Sequence, residues 1–364
     1  VRWDGQKVTA AGDDVLPGLA LAGLQRSVRT PEFAGVTFHE VHARSALNKV
    51  PEASSMPFRW TVNPMRGCLH ACTYCFARPT HEYLGLGPDE DFQTQIVVKT
   101  NVVDVLTAEL RRRSWRHEHV ALGTNTDPYQ RAEGRYALMP GIIGALADSG
   151  TPLSLLTKGT LLRRDLPLLA EAATQVGVSV AVSLAFGEEA LQQAMEPGTP
   201  TPRARLALVR AVREAGLDCT VMVAPVLPWL TDSTAHLDGL LRDVAEAGAT
   251  GVSVIPLHLR GPVRPLMLRW LAEHRPALVA KYRRLYGDGA YVPEEYRRWL
   301  RDRVDPLRRR YRLDRPADPL GGANGGSPWR FRPGSARATA AAEAPDSVLP
   351  GVVAAGGAVQ PALF

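Results

Sequence analysis

Three cysteines lie in one short stretch, Arg66-Gly67-Cys68-Leu69-His70-Ala71-Cys72-Thr73-Tyr74-Cys75-Phe76, spaced C-x3-C-x2-C. The chain has one other cysteine, Cys219. Three thiols this close cannot all pair with one another, and a single distant fourth makes no disulfide framework, so the three read as ligands to a metal. Thiolates select zinc, copper(I) or iron-sulfur clusters. Two fillings compete. A cubane cluster held by three thiolates leaves one iron open to a further ligand. A zinc site would recruit a histidine, and His70 and His81 are near enough in sequence, although zinc usually draws its ligands from two separated pairs. Packing of the three cysteines as small apolar residues fits poorly with the scarcity of cysteine elsewhere.

The loop carries an aromatic residue, Tyr74, just before its last cysteine, and in this it resembles the signature of the radical S-adenosylmethionine (SAM) enzymes. Asn63-Pro64-Met65-Arg66-Gly67-Cys68 and Ala77-Arg78-Pro79-Thr80 are similar, more narrowly, to the branch related to spore photoproduct lyase. The resemblance implies a [4Fe-4S] cluster on Cys68, Cys72 and Cys75 whose open iron is chelated by the amino and carboxylate groups of SAM. One electron, from a reductant such as flavodoxin or ferredoxin, would then cleave SAM to methionine and a 5'-deoxyadenosyl radical that abstracts a substrate hydrogen. The cofactor would carry the hard chemistry, and the protein would supply binding, orientation and exclusion of water.

Such a loop needs a frame. Arg59-Trp60-Thr61-Val62 reads as a short strand leading into it. Beyond it a unit repeats: an apolar run, a loop of small or polar residues, an amphipathic helix. The runs fall at 119–124, 152–157, 178–184, 219–224 and 251–257, and the helices at 138–149, 162–175, 202–215, 234–247 and one long one within 264–286. An earlier helix spans 102–113, with Asn101 placed to cap it. Gly150, Gly177, Gly216 and Gly248 stand where left-handed helix stops belong. Strands so aliphatic are buried on both faces, as parallel strands are. Six βα units in succession argue for a parallel sheet with helices outside, either doubly wound or curled into a partial barrel. The family resemblance implies the second, an α/β fold of the (β/α)6 partial TIM barrel type. Either way the site belongs at the C-terminal ends of the strands.

The segments that follow those strands supply the candidate ligands. Gly123-Thr124-Asn125-Thr126-Asp127-Pro128 reads by itself as an Asn/Asp-Pro turn. By resemblance it stands where radical SAM enzymes bind the amino group of SAM, with Gly123, Thr124, Asn125, Thr126 and Asp127 as contacts. Lys158, beside Gly159, would hold the SAM carboxylate, and Ser183 would face its ribose or methionine part. Ala224 and Pro225 would lie along the adenine, joined by Tyr74 through its backbone. Each falls at the end of a different strand, where a barrel site is assembled.

One departure bears on substrate. The lyase uses a cysteine after its second strand as hydrogen donor, and no cysteine lies between Cys75 and Cys219. Cys219, at the start of its strand, would sit roughly 16 Å from the site end, so the returning hydrogen would come from regenerated 5'-deoxyadenosine, from a tyrosine such as Tyr129, or from solvent. The substrate is therefore unassigned, with a DNA-lesion lyase or a non-catalytic zinc- or cluster-stabilised nucleic-acid-binding protein as alternatives.

The remaining features set bounds. The chain has 364 residues, 45% hydrophobic and 22% charged, as globular proteins have. No apolar run is long enough for a membrane span and no signal peptide opens it, so the expected compartment is the cytoplasm, where free thiols persist. A net charge of +6 permits a nucleic-acid partner, with basic and aromatic residues clustered at 111–116 and 297–312. The expected organisation is an N-terminal extension (1–55), the barrel (56–290), a basic helix (291–315) and a disordered Ala/Gly/Pro-rich tail (316–364).

Overall fold

The computed structural model describes residues 21–52, 54 and 56–314, so the tail expected from 316 lies outside the described residues. Eleven strands occur in this region: β1 (Leu24–Val28), β2 (Thr37–Val41), β3 (Leu47–Lys49), β4 (Trp60–Val62), β5 (Met65–Arg66), β6 (Gln95–Lys99), β7 (Val120–Leu122), β8 (Leu153–Thr157), β9 (Val178–Ser183), β10 (Cys219–Val226) and β11 (Gly251–Pro256).

The larger sheet runs β11-β10-β9-β8-β7-β4-β3. From β4 to β11 all neighbours are parallel, and β3 adds an antiparallel edge. This is the six-stranded partial barrel, in sequential order and open at its two edges. On the β11 side the Leu313 carbonyl accepts the Val252 N–H (3.2 Å), so the segment after the last helix blunts that edge.

The strand sequences alternate in size, and the alternation decides what the barrel encloses. Val120, Leu122, Leu153, Leu155, Val180, Val182, Val221 and Val223 pack in the main core with the helices. The residues between them, such as Ala121, Ala181 and Met222, form a small separate cluster with Val50 and Phe58. Successive side chains in a strand point to opposite faces, so the branched ones seat the helices while the others, two of them alanines, face the barrel interior. Cys219, at the start of β10, belongs to the main core and is fully buried, as the strand arithmetic expects.

Several local expectations are corrected. The N-terminal extension contributes three strands among its described residues. β1 and β2 join β6 and β5 in a second sheet, ordered β1-β2-β6-β5, and β3 pairs with β4. Asn101 does not cap the helix Val102–Leu110. Its amide instead bridges both backbone groups of Ala43, accepting from the N–H (2.7 Å) and donating to the carbonyl (3.0 Å), which ties down the N-terminal strands. The long helix within 264–286 is two, Val263–His274 and Pro276–Tyr286, because Pro276 drives Arg275 out of the helical region (φ −148°, ψ 58°). Gly150, Gly216 and Gly248 do take positive φ after their helices, but the helix before Gly177 ends at Ala172, and the Gly177 carbonyl accepts the Leu153 N–H instead.

The basic helix runs Glu294–Arg310 and buries Leu300, Val304 and Leu307. Of the two basic-aromatic clusters, the first is not a stacking surface: Trp115 is buried edge-on against Trp60 and donates to the Thr151 hydroxyl (2.9 Å). Trp299, in the second, is exposed beneath the Arg303 guanidinium, 3.6 Å from its centroid.

Candidate active site

The cysteine loop leaves β5 and is clamped from three sides. Below it, the Cys68 N–H donates to the Phe92 carbonyl (2.8 Å), and the Gln130 amide spans the loop start, accepting from Leu69 N–H (2.8 Å) and donating to the Gly67 carbonyl (3.1 Å). The buried Arg78 guanidinium donates to the carbonyls of Ala71 (3.2 Å) and Cys72 (3.0 Å) and to those of Pro88 and Asp89. Beyond the loop, the helix Glu189–Met195 and the turn after it close in: Thr73 N–H donates to Met195 O (2.9 Å) and Gly198 N–H to His70 O (3.2 Å). A Cβ on Gly198 would fall 2.0 Å from the Leu69 carbonyl oxygen, so only glycine allows this approach.

Held this way, Cys72 and Cys75 face an open cleft of about 250 Å³ at the C-terminal ends of the strands. Cys68 is buried beside them, close enough that its charge raises the pKa of Cys75 after the larger effect of burial. All four cysteines are free thiols. The three loop thiols are not drawn together around one ion-sized point. Of the two histidines that a zinc site would recruit, His70 contacts the Cys68 thiol as well as Asp127, and His81 keeps Nδ1 without a protein hydrogen-bond partner. His81 shares a hydrogen bond with the Gln95 carbonyl (2.9 Å), and His70 Nδ1 stands 3.3 Å from Asp127.

The cleft wall also includes Tyr74, Gly123, Thr124, Lys158, Ser183, Ala224 and Pro225, one or two from each successive strand end. Ala224 and Pro225 lie within β10 rather than after it, at a bulge between Val223 and Val226, joined by a cis peptide. Asn125, Thr126 and Asp127 do not line the cleft. Thr126 donates to the Met65 carbonyl (3.1 Å). Asp127 turns inward and accepts from Thr157 Oγ1 (2.5 Å), Lys158 N–H (2.6 Å) and Tyr129 N–H (2.9 Å). Burial alone would raise its pKa, but His70 and these donors hold it down at about 2. Asp127 thus fixes the strand ends that carry Lys158 and braces His70, and a carboxylate so fully engaged has no lone pair for a ligand's ammonium. Gly123 has a packing reason of its own: φ is +82°, and a Cβ would meet the Leu156 carbonyl oxygen at 2.0 Å. Tyr129 is fully buried with its hydroxyl donating to Asp165 (2.8 Å), so it offers no hydrogen to the cleft.

Sequence reasoning missed Glu196. Its carboxylate is wholly buried and is hydrogen-bonded by the Tyr74 hydroxyl and the Arg205 guanidinium, with Thr199 Oγ1 at 3.2 Å and Lys158 Nζ at 3.9 Å. Burial disfavours its charge, but Arg205 and Lys158 outweigh that and keep the pKa below the usual carboxylate value. Arg205, itself buried, also donates to the carbonyls of Ser183 (3.1 Å) and Pro200 (2.9 Å). Burial likewise opposes the charge of Lys158, yet Cys72 and Glu196 leave it raised. The only signal was a carboxylate in the Pro/Gly-rich turn Glu196-Pro197-Gly198-Thr199-Pro200, and a solvated turn would look the same.

The residues present fit the groups that the sequence suggested. Cys72 and Cys75 line one end of the cleft with Cys68 buried beside them, and Lys158 lines the same cleft. Thr124 lines the same wall, and its buried hydroxyl has no protein hydrogen-bond partner.

The model of the radical SAM superfamily matches residues 62–241. An uncharacterized protein of Mycobacterium tuberculosis is 66% identical over 326 residues, covering 88% of this chain and 96% of that one. An uncharacterized protein of Methanocaldococcus jannaschii is 25% identical over 199 residues, covering 53% and 69%. Among solved structures, spore photoproduct lyase complexed with dinucleoside spore photoproduct aligns with a TM-score of 0.58 at 16% identity, over 75% of this chain and 79% of that one, which is a likeness of fold. With the partial barrel, the cysteine loop after its first strand and the family match all in agreement, the chain belongs to the radical SAM superfamily, whose enzymes use a [4Fe-4S] cluster and SAM.

Proposed function

We propose that this chain reductively cleaves SAM at a [4Fe-4S] cluster held by Cys68, Cys72 and Cys75, giving a 5'-deoxyadenosyl radical that acts on a substrate not yet identified. The observation that carries the reading is that Cys72, Cys75, Lys158 and Thr124, whose hydroxyl has no protein hydrogen-bond partner, line one cleft. Lys158 binds the SAM carboxylate; Glu196 beneath it fixes where the ammonium stands. Thr124 accepts from the SAM amino group, in place of Asp127. Ser183, with its carbonyl pinned by Arg205, borders the ribose, and Ala224 and Pro225 give the adenine an apolar edge. Tyr74 contributes mainly packing, since its hydroxyl is held by Glu196. A small reductant protein, a flavodoxin or ferredoxin, supplies the electron.

A lesion-reversing reaction that depends on a thiol donor is not favoured. Cys219 is buried at the opposite end of β10, with its pKa pushed up to about 12 by burial, and Tyr129 is hydrogen-bonded in the core. Hydrogen would return to the product from 5'-deoxyadenosine or solvent.

The test is anaerobic reconstitution. The parent should be brown with about four irons per chain and should release 5'-deoxyadenosine when reduced with SAM. Replacing Cys68, Cys72 or Cys75 by Ala should abolish both, while Cys219→Ala keeps them. A colourless protein holding zinc, or a loaded cluster that never yields 5'-deoxyadenosine, would overturn the reading.

A further inference from the structure

The cleft has a further wall to which the proposed function assigns no contact with SAM. It is the end of β11 and the segment after it: Ile255, Pro256, Leu257, His258 and Arg260. Among the described residues the cleft lining contains two permanent cations, Lys158 and Arg260, and no Asp or Glu. Lys158 has Glu196 at 3.9 Å. Arg260 has no carboxylate within salt-bridge distance among the described residues, and its guanidinium meets the face of Tyr291, 4.9 Å from the ring centroid.

This platform is built. The Leu259 N–H donates to the Ala290 carbonyl (2.7 Å), and the Arg264 guanidinium donates to the carbonyls of Gly287 (2.8 Å) and Gly289, so the turn carrying Tyr291 is tied to the strand end from both sides. The His258 ring packs edge-on against the same tyrosine at 4.7 Å. Arg260 is partly desolvated, enough to lower its pKa. A half-buried guanidinium without a counter-ion is costly, and its planar fork matches a carboxylate or phosphate with two parallel hydrogen bonds. Much of the rest of the lining is apolar, Met56, Met222, Ile255 and the exposed Phe76 ring among it.

We propose that the substrate of this enzyme bears an oxyanion, a carboxylate or a phosphate, that Arg260 binds at the β11 wall, with an apolar body lying over Met222, Ile255 and Phe76 toward the cluster. This rests on the functional reading above in assigning Lys158 to SAM.

The experiment titrates simple probes into the anaerobically reconstituted protein with and without SAM, followed by saturation-transfer NMR: phenyl phosphate, benzoate and the neutral benzyl alcohol. The parent should bind at least one anion more tightly than benzyl alcohol, and which of the two it prefers identifies the oxyanion. Arg260→Gln should weaken that anion roughly tenfold or more and leave benzyl alcohol unchanged, and Arg260→Lys should recover part of the loss. SAM affinity should stay within about twofold in both variants. The proposal falls if the parent does not discriminate the anions, if Arg260→Gln binds them as the parent does, or if Arg260→Gln weakens SAM by the same factor, which would give Arg260 to SAM. A parent that fails to bind SAM yet shows Arg260-dependent anion binding would instead sink the functional reading and leave this one standing.

Discussion

The Glu196 carboxylate lies buried 3.9 Å from the Lys158 ammonium and is hydrogen-bonded at the same time by Tyr74 and Arg205. One carboxylate therefore balances two cations and fixes the residue that precedes the last cysteine of the loop. Removing one partner of a buried pair strands the other charge, which costs about 3–5 kcal/mol. Glu196→Ala should destabilise the protein by that amount in urea unfolding, and the apolar double replacement Glu196→Met with Arg205→Met should lose less than Glu196→Ala alone. A Glu196→Ala protein within about 1 kcal/mol of the parent would show that the network contributes nothing.

Gly198 touches the loop backbone rather than a side chain, so the loop has to move if a methyl group is added. Gly198→Ala should lower iron content after reconstitution while the far-UV circular dichroism stays native. Gly144→Ala is the control, because a Cβ there meets nothing within 4 Å. Equal iron in the two variants would mean that the Gly198 approach does not position the cysteines.

The proposed function gives Lys158 the charge-assisted contact with SAM. Lys158→Ala should weaken SAM binding by about 1.5–3 kcal/mol, roughly ten- to a hundredfold, with iron content unchanged. Calorimetric titration of SAM into the reconstituted protein checks it, and parental affinity in the variant would remove the carboxylate role.

His119 precedes β7, far along the chain from the cysteine loop, and burial alone pushes its pKa down to about 4. Its Nε2 has no protein hydrogen-bond partner. The unfolded chain takes up this proton near pH 6.5, and the folded protein only near 4. The stability linked to His119 is thus full above about pH 6.5 and is lost as pH falls toward 4, by on the order of 2 kcal/mol. His119→Leu should flatten the fall in urea-unfolding free energy between pH 7 and 4.5. An unchanged slope would show that the imidazole titrates in the fold as it does in the open chain.

What the sequence determined by itself was whatever short-range chemistry sets. The C-x3-C-x2-C spacing places three ligands within one loop whatever surrounds them. The aliphatic runs could only be doubly buried strands, and Gly150, Gly216 and Gly248 end helices through a conformation that glycine reaches without a Cβ penalty. Lys158, Ser183, Ala224 and Pro225 were singled out through the family resemblance, and they line one cleft because parallel strands bring their ends together. The tertiary structure decided where polar side chains spend their hydrogen bonds. Asp127 sits in the expected segment but turns inward, because Thr157, Lys158 N–H and His70 converge on it from two other elements. Asn101 has the sequence position of a cap and bonds Ala43 instead, 58 residues away. Glu196, Arg205 and Arg260 look like ordinary surface charges in a linear reading. Whether a charge is solvated, paired or waiting for a ligand depends on distances between segments far apart in the chain, and no local pattern encodes those distances.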